Sequence, residues 1–351
     1  MTLLDGAALL AEVWRGDLVE SVHLGHLVVL DPSGAPVTAL GDPDAVHYPR
    51  SCLKPLQAVA MLRSGYRPVH DGALALACAS HNGEPFHLEG VRATLAAVGL
   101  EESSLRNTPD LPLHAASALA WQEAGNGGAA ITQNCSGKHA AMLATCAAAG
   151  WDLATYLDPA HPLQVSIRTT IAELTGDPWT PHVTGDLWAP HVTGDLWAPH
   201  VTVDGCGAPL FSTTLSGLAR AFGRLVAAVP GMPEARVAAA MTARPEMVAG
   251  TGRDVTDAMR AVPGLICKDG AEGVFAGALP NGFAFAFKVL DGAARPRPAI
   301  LGATLLAAGA LEVDGVDAAA LDALAAVPVL GHGRPVGEVR VPLLPTADAV
   351  A

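Results

Sequence analysis

Long hydrophobic segments, lysine and positive charge are all scarce in this chain of 351 residues. The longest apolar stretch, residues 299–311 (AILGATLLAAGAL), is shorter than the about 20 residues that a helix needs to cross a bilayer, so no membrane association is expected. Lys and Arg number 21 against 34 Asp and Glu, a formal net charge of −13, and this excess disfavours nucleic acid as a partner. The first residues contain no export signal, which predicts a cytoplasmic location.

The distribution of apolar and turn residues indicates the fold class. Half of the residues are hydrophobic and only 16% are charged, which excludes a disordered chain. Residues 20–30 and 35–40 flank a Pro-Ser-Gly turn, and residues 274–279 and 283–290 flank Pro-Asn-Gly, so two β-hairpins are predicted. Ala- and Leu-rich patterns between them predict helices over residues 54–63, 88–98, 115–123, 138–149 and 213–229.

Strands near both ends with helices between them predict a mixed α/β (α+β) fold, in which a central sheet unites the two ends and is flanked by helices. No Pro/Ser-rich linker divides the sequence. We therefore expect residues 1–351 to form a single catalytic unit, with the helical middle as a candidate subdomain.

A nine-residue segment occurs three times in a row within the helical middle. Residues 175–183 read TGDPWTPHV, and residues 184–192 and 193–201 both read TGDLWAPHV. Solenoid units need about 20 residues or more, so this period is too short for a repeat architecture. We interpret residues 175–201 as the product of duplication, forming a surface loop insertion, and do not expect its histidines to bind metal.

The rarity of lysine draws attention to the lysines that remain. There are four, namely Lys54, Lys138, Lys268 and Lys288. Arginine does not lose its proton in practice, whereas lysine can be tuned to act as a base. A lysine in a chain whose other 17 basic residues are arginine is therefore a candidate for chemistry that arginine cannot perform, although Lys288 is interpreted as an ordinary residue.

The six cysteines do not form a disulfide framework. They are Cys52, Cys78, Cys135, Cys146, Cys206 and Cys267, with no CxxC pair and no zinc-finger spacing. In a large chain expected in the cytoplasm, we predict that most are reduced and that several are core residues.

The first chemical motif is YPRSCLKP at residues 48–55, which contains Ser51-x-x-Lys54. Pro55 is tolerated only in the first turn of a helix, so Ser51 is predicted at or just before a helix start. A spacing of three residues brings the Lys54 amine round to the Ser51 hydroxyl. Serine needs a base to act as a nucleophile, and a buried lysine can serve as that base. The pattern also occurs by chance in many proteins.

The second motif is CASHNGEP at residues 78–85, where a polar segment follows a buried apolar run. Ser80, His81 and Asn82 supply a hydroxyl, an imidazole and an amide at a position where active-site loops often begin. The alternative interpretation is a capped turn at a helix start.

Three further polar loops follow along the chain: QNCSGKH at residues 133–139, VDGCGAP at 203–209 and CKDGAEG at 267–273. The SGK segment lacks the GxxxxGK[ST] frame, which argues against a nucleotide-binding loop. Cys135, Lys138 and His139 lie together at a predicted helix start, where a thiolate is stabilised. Each loop alone could be a turn, but the concentration of lysine and cysteine in them favours a shared site.

The ordered segments RSCLKP, CASHNGE, NCSGKHAAML, DGCGAP and KDGAEG resemble the Rhizobium-type (class 3) L-asparaginases, the asparaginase II family, over nearly the whole chain. The resemblance implies a serine β-lactamase/glutaminase-like fold, a homodimer and hydrolysis of L-asparagine. It implies two Ser-Lys tandems, Ser51 with Lys54 and Ser80 with Lys268. It further implies that substrate is bound by Arg50, His81, Asn82 and Asp204, and that a zinc ion is held by Cys135, Lys138 and Cys206.

Amide hydrolysis requires a nucleophile, a proton shuttle to the leaving nitrogen and stabilisation of an oxyanion. We expect Ser51 to attack while Lys54 takes its proton. Ser80 and Lys268 are expected to relay a proton to the leaving nitrogen. The alternative, in which Ser80 is the acylated serine, stays open. Zinc is expected to shape the pocket and not to supply the nucleophile. The alternatives are a Ser-Lys glutaminase or β-lactamase-like amidase, which the missing SDN and KTG motifs disfavour, and a non-enzymatic zinc-holding small-molecule binding protein.

Overall fold

The computed structural model describes residues 3–177 and 200–342, and all element bounds refer to these residues. The strands are β1 (Ala8–Arg15), β2 (Leu18–Leu30), β3 (Pro36–Leu40), β4 (Val201–Val203), β5 (Pro209–Phe211), β6 (Ile266–Asp269), β7 (Val274–Ala278), β8 (Ala284–Val289), β9 (Pro328–Gly331) and β10 (Arg334–Arg340). The helices are α1 (Lys54–Arg63), α2 (Asp71–Ala77), α3 (Pro85–Ala96), α4 (Ala115–Glu123), α5 (Ser136–Ala149), α6 (Pro162–Thr175), α7 (Leu215–Ala227), α8 (Pro233–Ala243), α9 (Pro245–Val248), α10 (Asp254–Ala261), α11 (Arg297–Ala307) and α12 (Ala318–Ala325).

The chain divides into two compact units. The first contains the described residues of segments 1–52, 213–228 and 252–351, and the second contains those of 53–212 and 229–251. None of the helices described above is both long and apolar enough to cross a membrane.

The first unit is built on an eight-stranded antiparallel sheet. Its strand order is β6-β7-β8-β2-β1-β10-β9, and β3 pairs with β2 at the side of this path. Every residue of β7 and β8 is buried, as expected for strands that are covered on both faces. The rings of Phe275 and Phe287 stack there with centroids 5.5 Å apart. The sheet therefore unites segments from the two ends of the chain, as predicted.

Four helices pack onto this sheet or beside it. α7 contacts β2, β7 and β8, while α10 contacts β6 and α11 contacts β1 and α12. α7 is strongly amphipathic because Leu215, Leu218, Phe222 and Leu225 recur at helical spacing and are all buried. These contacts hold β6, the strand that carries Lys268, in the interior of the unit.

The second unit is helical and centres on α2 and α5. α2 contacts α3, α5, α8 and α9, and α5 also contacts α1 and α3. A Cβ atom at Gly137 would lie 2.5 Å from the Leu76 carbonyl oxygen, so only glycine allows the first turn of α5 to approach the last turn of α2 this closely. This approach fixes the position of Lys138 relative to the loop that follows α2.

The predicted architecture is confirmed in its main elements. Both hairpins form, as the β2–β3 and β7–β8 pairings, and the predicted helices at 54–63 and 115–123 coincide with α1 and α4. The fold is mixed α/β, with helices packed on an antiparallel sheet. The first hairpin belongs to a longer meander, because β1 pairs with β2, and the sequence analysis did not predict β1, β9 or β10. The single catalytic unit stays a prediction.

The nine-residue repeat lies largely outside the described residues, which end at 177 and resume at 200. Its two ends are described. α6 ends at the buried Thr175, and Gly176 follows in the left-handed conformation that often terminates a helix. At the other end, the backbone N–H of His200 donates to the Ser212 hydroxyl (2.9 Å), and β4 then pairs with β5.

Candidate active site

In the second unit, Lys54 contacts Ser80. Lys54 is the first residue of α1, with Pro55 in the first turn as predicted, and only 1% of Lys54 is exposed. Its Nζ donates to the Ala79 carbonyl oxygen (2.6 Å) and to the Ser80 hydroxyl (3.0 Å). Both acceptors are neutral groups. The contact joins an amine and a hydroxyl at a distance suited to proton transfer.

The loop after α2 is held by backbone hydrogen bonds on both sides of Ser80. The N–H of Ser80 donates to the Val248 carbonyl oxygen (3.0 Å), and the N–H of Asn82 donates to that of Ala249 (2.8 Å). Because these bonds fix the main chain, the Ser80 hydroxyl is directed at Lys54 by a rigid support, which is what a catalytic group requires.

The imidazole of His81 is engaged within the second unit. The ring is fully buried, its Nδ1 accepts from the Gly83 N–H (3.1 Å), and its Nε2 lies 2.9 Å from the Ser136 hydroxyl. An Nδ1 that accepts implies that Nε2 carries the proton and donates to Ser136. His81 thus links the loop after α2 to the start of α5, and its role in substrate binding stays a prediction.

Asn82 is held in the same way. Its Nδ2 donates to the Thr251 carbonyl oxygen (3.0 Å) and to the Glu84 carboxylate (3.2 Å), which also accepts from the Thr251 N–H (2.9 Å). Burial raises the pKa of Glu84, but these hydrogen bonds outweigh it and lower the pKa below the usual range. A Cβ atom at Gly250 would lie 2.5 Å from Asn82 Nδ2, so the close packing depends on this glycine.

The predicted metal ligands lie together at the start of α5. Cys135 precedes the helix, Lys138 is in its first turn, and the Lys138 Nζ donates to the Cys206 sulfur (3.2 Å). Cys135 and Cys206 belong to one buried cluster. The neighbouring Cys135 thiol and the Lys138 ammonium lower the pKa of Cys206 far below its usual range. Attraction to the anionic Cys206 sulfur is the main cause that raises the pKa of Lys138 despite its burial.

The loop that carries Cys206 connects β4 with β5. The backbone N–H of Asp204 donates to the Ala208 carbonyl oxygen (2.9 Å), and its Oδ1 accepts from the Gly205 N–H (2.9 Å). The half-buried Asp204 carboxylate contributes to the raised pKa of Lys138. The predicted substrate contact of Asp204 stays a prediction.

His139 lies beside these residues. Its Nδ1 is 2.8 Å from the Tyr156 hydroxyl. Burial lowers the pKa of His139 to about 4, so the ring is neutral at pH 7.

The donor set fits zinc by ligand type, since two sulfurs and an amine are ligands that Zn²⁺ can accept. Lys138 would have to release its proton to bind, which its raised pKa opposes. Over the described residues, three or more His, Cys, Asp or Glu side chains are nowhere grouped so as to hold a metal. The zinc site therefore depends on Lys138 as a ligand.

In the first unit, Arg50 and Ser51 lie in a 3-10 turn that leads into α1. Arg50 has a φ of +52°, a conformation that is uncommon for residues other than glycine and often marks functional sites. The Cys52 sulfur donates to the Lys268 carbonyl oxygen (3.1 Å). A Cβ atom at Gly270 would lie 2.6 Å from the Pro49 carbonyl oxygen, so this glycine allows the turn to pack against the end of β6.

Lys268 lies in β6 and not in a polar turn, which corrects the sequence interpretation. It is fully buried, and its Nζ donates to the Asp269 carbonyl oxygen (2.7 Å) and to the Asp269 carboxylate. That carboxylate also accepts from Arg253 (2.6 Å) and lies 3.5 Å from Arg297.

The structure brings together some of the predicted residues in each unit. In the second unit, Lys54 contacts Ser80, the serine that the resemblance pairs with Lys268. In the first unit, the residue after Ser51 bonds to the main chain of Lys268. Sequence reasoning missed Asp269 and its two arginines; Asp269 stands within the KDGAEG segment, but no motif marks Arg253 or Arg297.

The chain was compared with known proteins. A family model described as L-asparaginase II matches residues 11–186 and 191–341, and the break between them lies in the nine-residue repeat. A comparison with curated proteins finds no match. Among solved structures, the hydrolase EstCE1, with promiscuous acyltransferase activity, is 11% identical at a TM-score of 0.37, covering 76% of this chain and 88% of that chain. A β-lactamase from Mycobacterium bovis is 14% identical at a TM-score of 0.32, covering 81% and 94%.

Proposed function

Because this chain belongs to the L-asparaginase II family, we propose that it is an amidohydrolase that converts L-asparagine to L-aspartate and ammonia. The observation that carries this proposal is the contact between the buried Lys54 amine and the Ser80 hydroxyl, 3.0 Å apart on a rigid loop. Amide hydrolysis through a serine ester needs such an amine, because serine is a weak nucleophile without a base.

The proposed reaction uses a serine ester and one proton path. The Ser51 oxygen attacks the side-chain amide carbon, and its proton passes to Lys54. Lys54 passes a proton to Ser80, whose own proton goes to the leaving nitrogen, so that ammonia departs and Ser51 holds the acyl group. Water then attacks the ester carbon and gives one proton to Ser80, whose own proton passes through Lys54 to the Ser51 oxygen. The bond between the acyl carbon and the Ser51 oxygen breaks, and L-aspartate leaves. Lys54 thus begins and ends each half-reaction in the same protonation state.

Several observations support this path. Lys54 Nζ is already within hydrogen-bond distance of Ser80, which supports the second transfer. Ser51 stands three residues before Lys54, in a 3-10 turn that continues into α1, which supports the first transfer. Arg50, directly before Ser51 in this turn, has a left-handed backbone with a φ of +52°.

Zinc is the proposed metal, held by Cys135, Lys138 and Cys206. A bound Zn²⁺ would supply a fixed positive charge and shape the pocket, while the serine oxygen remains the nucleophile. Metal analysis of protein purified without chelator is expected to show about one zinc per chain, as in a structural or substrate-positioning site. Cys206→Ala and Cys135→Ala should lose it, whereas Cys146→Ala, which removes a buried thiol elsewhere in α5, should keep it. Zinc-free wild-type protein or zinc-loaded Cys206→Ala would refute the assignment.

The preference for asparagine is tested by ammonia release from L-asparagine, L-glutamine and a buffer blank, together with hydrolysis of a β-lactam. We expect asparagine to be the best substrate. A higher kcat/KM for glutamine or the β-lactam would favour the alternative Ser-Lys amidases, and binding of asparagine without turnover would favour a binding protein.

The homodimer and the cytoplasmic location are also proposals. The homodimer rests on the family resemblance. Light scattering of the purified full chain tests the dimer, with twice the chain mass of 35.7 kDa as the expected result.

A further inference from the structure

The first unit contains a buried group of charged residues that the proposed proton path does not use. Lys268 and Asp269 end β6, Arg253 precedes α10, and Arg297 begins α11. The side chains of Arg253, Asp269 and Arg297 are exposed by 17%, 8% and 15%, and that of Lys268 is fully buried. Charges at this depth are retained only when they are paired and hydrogen-bonded.

Asp269 is the centre of this group. Its carboxylate accepts from Arg253 (2.6 Å) and from the Lys268 ammonium, and the Arg297 guanidinium lies 3.5 Å away. Burial alone raises the pKa of the Asp269 carboxyl, but its three cationic neighbours lower the pKa below its usual range. The carboxylate is therefore charged at every pH at which the enzyme would work.

The other groups that face Asp269 do not neutralise it. Asp254, in the first turn of α10, is bound by Arg297 through two hydrogen bonds of 2.6 and 3.0 Å. The buried thiols of Cys52 and Cys267 have pKa values raised by burial, so both are uncharged. The paired strand β7 (VFAGA) has no titratable side chain.

Lys54 has different surroundings. Its two acceptors, the Ala79 carbonyl oxygen and the Ser80 hydroxyl, are neutral, whereas Lys268 donates to a carboxylate. A fixed carboxylate favours the protonated form of an amine. Two lysines in such different environments are suited to different roles.

We propose that Asp269 is a positioning residue that keeps Lys268 in its ammonium form, so that Lys268 is a fixed positive charge of the first unit and not a proton carrier of the reaction. The role of Lys268 in the reaction rests on the proposed amide hydrolysis. The charge state of Lys268 rests only on its ion pair with Asp269. Lys268 neither gains nor loses a proton during the reaction.

The charge state can be measured directly, because the chain has only four lysines. Full-length protein labelled with ¹³C-lysine gives four side-chain signals, which single Lys→Arg variants assign. In the wild type, the Lys268 signal is expected to keep its ammonium position up to about pH 10, where an exposed lysine begins to titrate. Deprotonation of Lys268 at neutral pH in the wild type would overturn the inference.

Asp269→Asn tests the cause, and Asp254→Asn is the matched control. Each variant removes one buried carboxylate that an arginine contacts. The Asp254 carboxylate is bound by Arg297, whereas the Asp269 carboxylate is bound by Arg253 and also by Lys268. We expect Asp269→Asn to let Lys268 titrate at a pH lower by about one unit or more, with a matching shift of the alkaline limb of kcat/KM. Asp254→Asn should leave both unchanged, and equal profiles for the two variants would overturn the inference.

The two proposals fail separately. The lysine signals are recorded without substrate, so they decide the charge state of Lys268 even if the protein hydrolyses no amide. Absence of ammonia release by the wild type would refute the proposed function and leave the titration to decide the inference.

Discussion

His47 is buried in the first unit, where only 4% of the residue is exposed. Burial is the main reason that the pKa of His47 falls to about 3, and the nearby charges of Lys288 and His26 lower it further. In the unfolded chain a histidine has a pKa of about 6.5. The unfolded state therefore binds one more proton than the folded state between these two values.

This difference predicts a pH dependence of stability. Because the folded pKa of His47 is depressed, its contribution is complete above about pH 6.5 and is lost as the pH falls toward 3, with a slope of about 1.4 kcal/mol per pH unit. His47→Leu should remove this slope from the free energy of unfolding, measured by urea denaturation at several pH values. The exposed His332→Asn is the control and should retain it. Equal slopes in the two variants would show that His47 is already protonated in the folded protein.

At the residue scale, the sequence identified residue types better than partners. The serines and lysines of the candidate site could be predicted because the Ser-x-x-Lys spacing and the rarity of lysine can be read from the sequence. The contact of Lys54 with Ser80 could not be predicted from the sequence, because it joins α1 to a loop 26 residues away. The role of Asp269 was missed because it depends on Arg253 and Arg297, which the fold alone brings near it.

At the scale of elements, a close approach of main chain supports the Ser51 turn. Gly270 follows β6, and its N–H donates to the Val274 carbonyl oxygen (2.7 Å) at the turn into β7. The turn at residues 49–52 packs directly on this glycine, with the Pro49 carbonyl oxygen 2.6 Å from where a Cβ atom would be. The direction of Ser51 thus depends on the end of a strand more than 200 residues away.

Gly270→Ala is therefore expected to displace the Ser51 turn. A clash with main chain cannot be relieved by a side-chain rotation, so we expect a loss of about 1–3 kcal/mol in stability, with a fall in kcat at temperatures where the variant is folded. Gly127→Ala is the control, because nothing lies within 4 Å of its Cβ position. Thermal unfolding and ammonia release check both. Wild-type kcat and Tm in Gly270→Ala would show that the turn tolerates the shift.

Elements were predicted well wherever local chemistry determines them. The Pro-Asn-Gly turn and the alternating phenylalanines determine the β7–β8 hairpin, and Pro55 determines the start of α1. β6 was missed because its four residues, ICKD, include two polar ones and form a strand only through pairing with β7. The β4–β5 pair was missed for the same reason, since each strand has three residues.

At the scale of the whole molecule, the sequence could show that strands from both ends belong together but not where the units divide. Each unit is assembled from separate chain segments, and the SxxK segment spans the boundary at residue 52. Such a division arises from packing between distant segments, which composition does not reveal.

The repeat gives a prediction at this scale. Each copy of the repeat begins with Thr-Gly-Asp, the residues at the end of α6, and ends with Pro-His-Val, the residues at the start of β4. A single copy can therefore connect α6 with β4. Removing residues 184–201 should therefore preserve activity and change stability by about 1 kcal/mol or less, since loop-closure entropy varies slowly with length. Ammonia release and thermal unfolding measure this. A large loss of either would mean that the extra copies are part of the core or of an interface.

The central claim is that Lys54 carries protons in amide hydrolysis, and the most direct test is ammonia release from L-asparagine by wild type, Lys54→Arg and Lys288→Arg. Arginine keeps the charge but cannot act as a base, so Lys54→Arg should lower kcat by about 10²- to 10⁴-fold. Lys288 is also buried, but it donates to the carbonyl oxygens of Glu272 and Val289, so Lys288→Arg should keep near wild-type kcat. A folded Lys54→Arg enzyme with the kcat of the wild type would contradict the account.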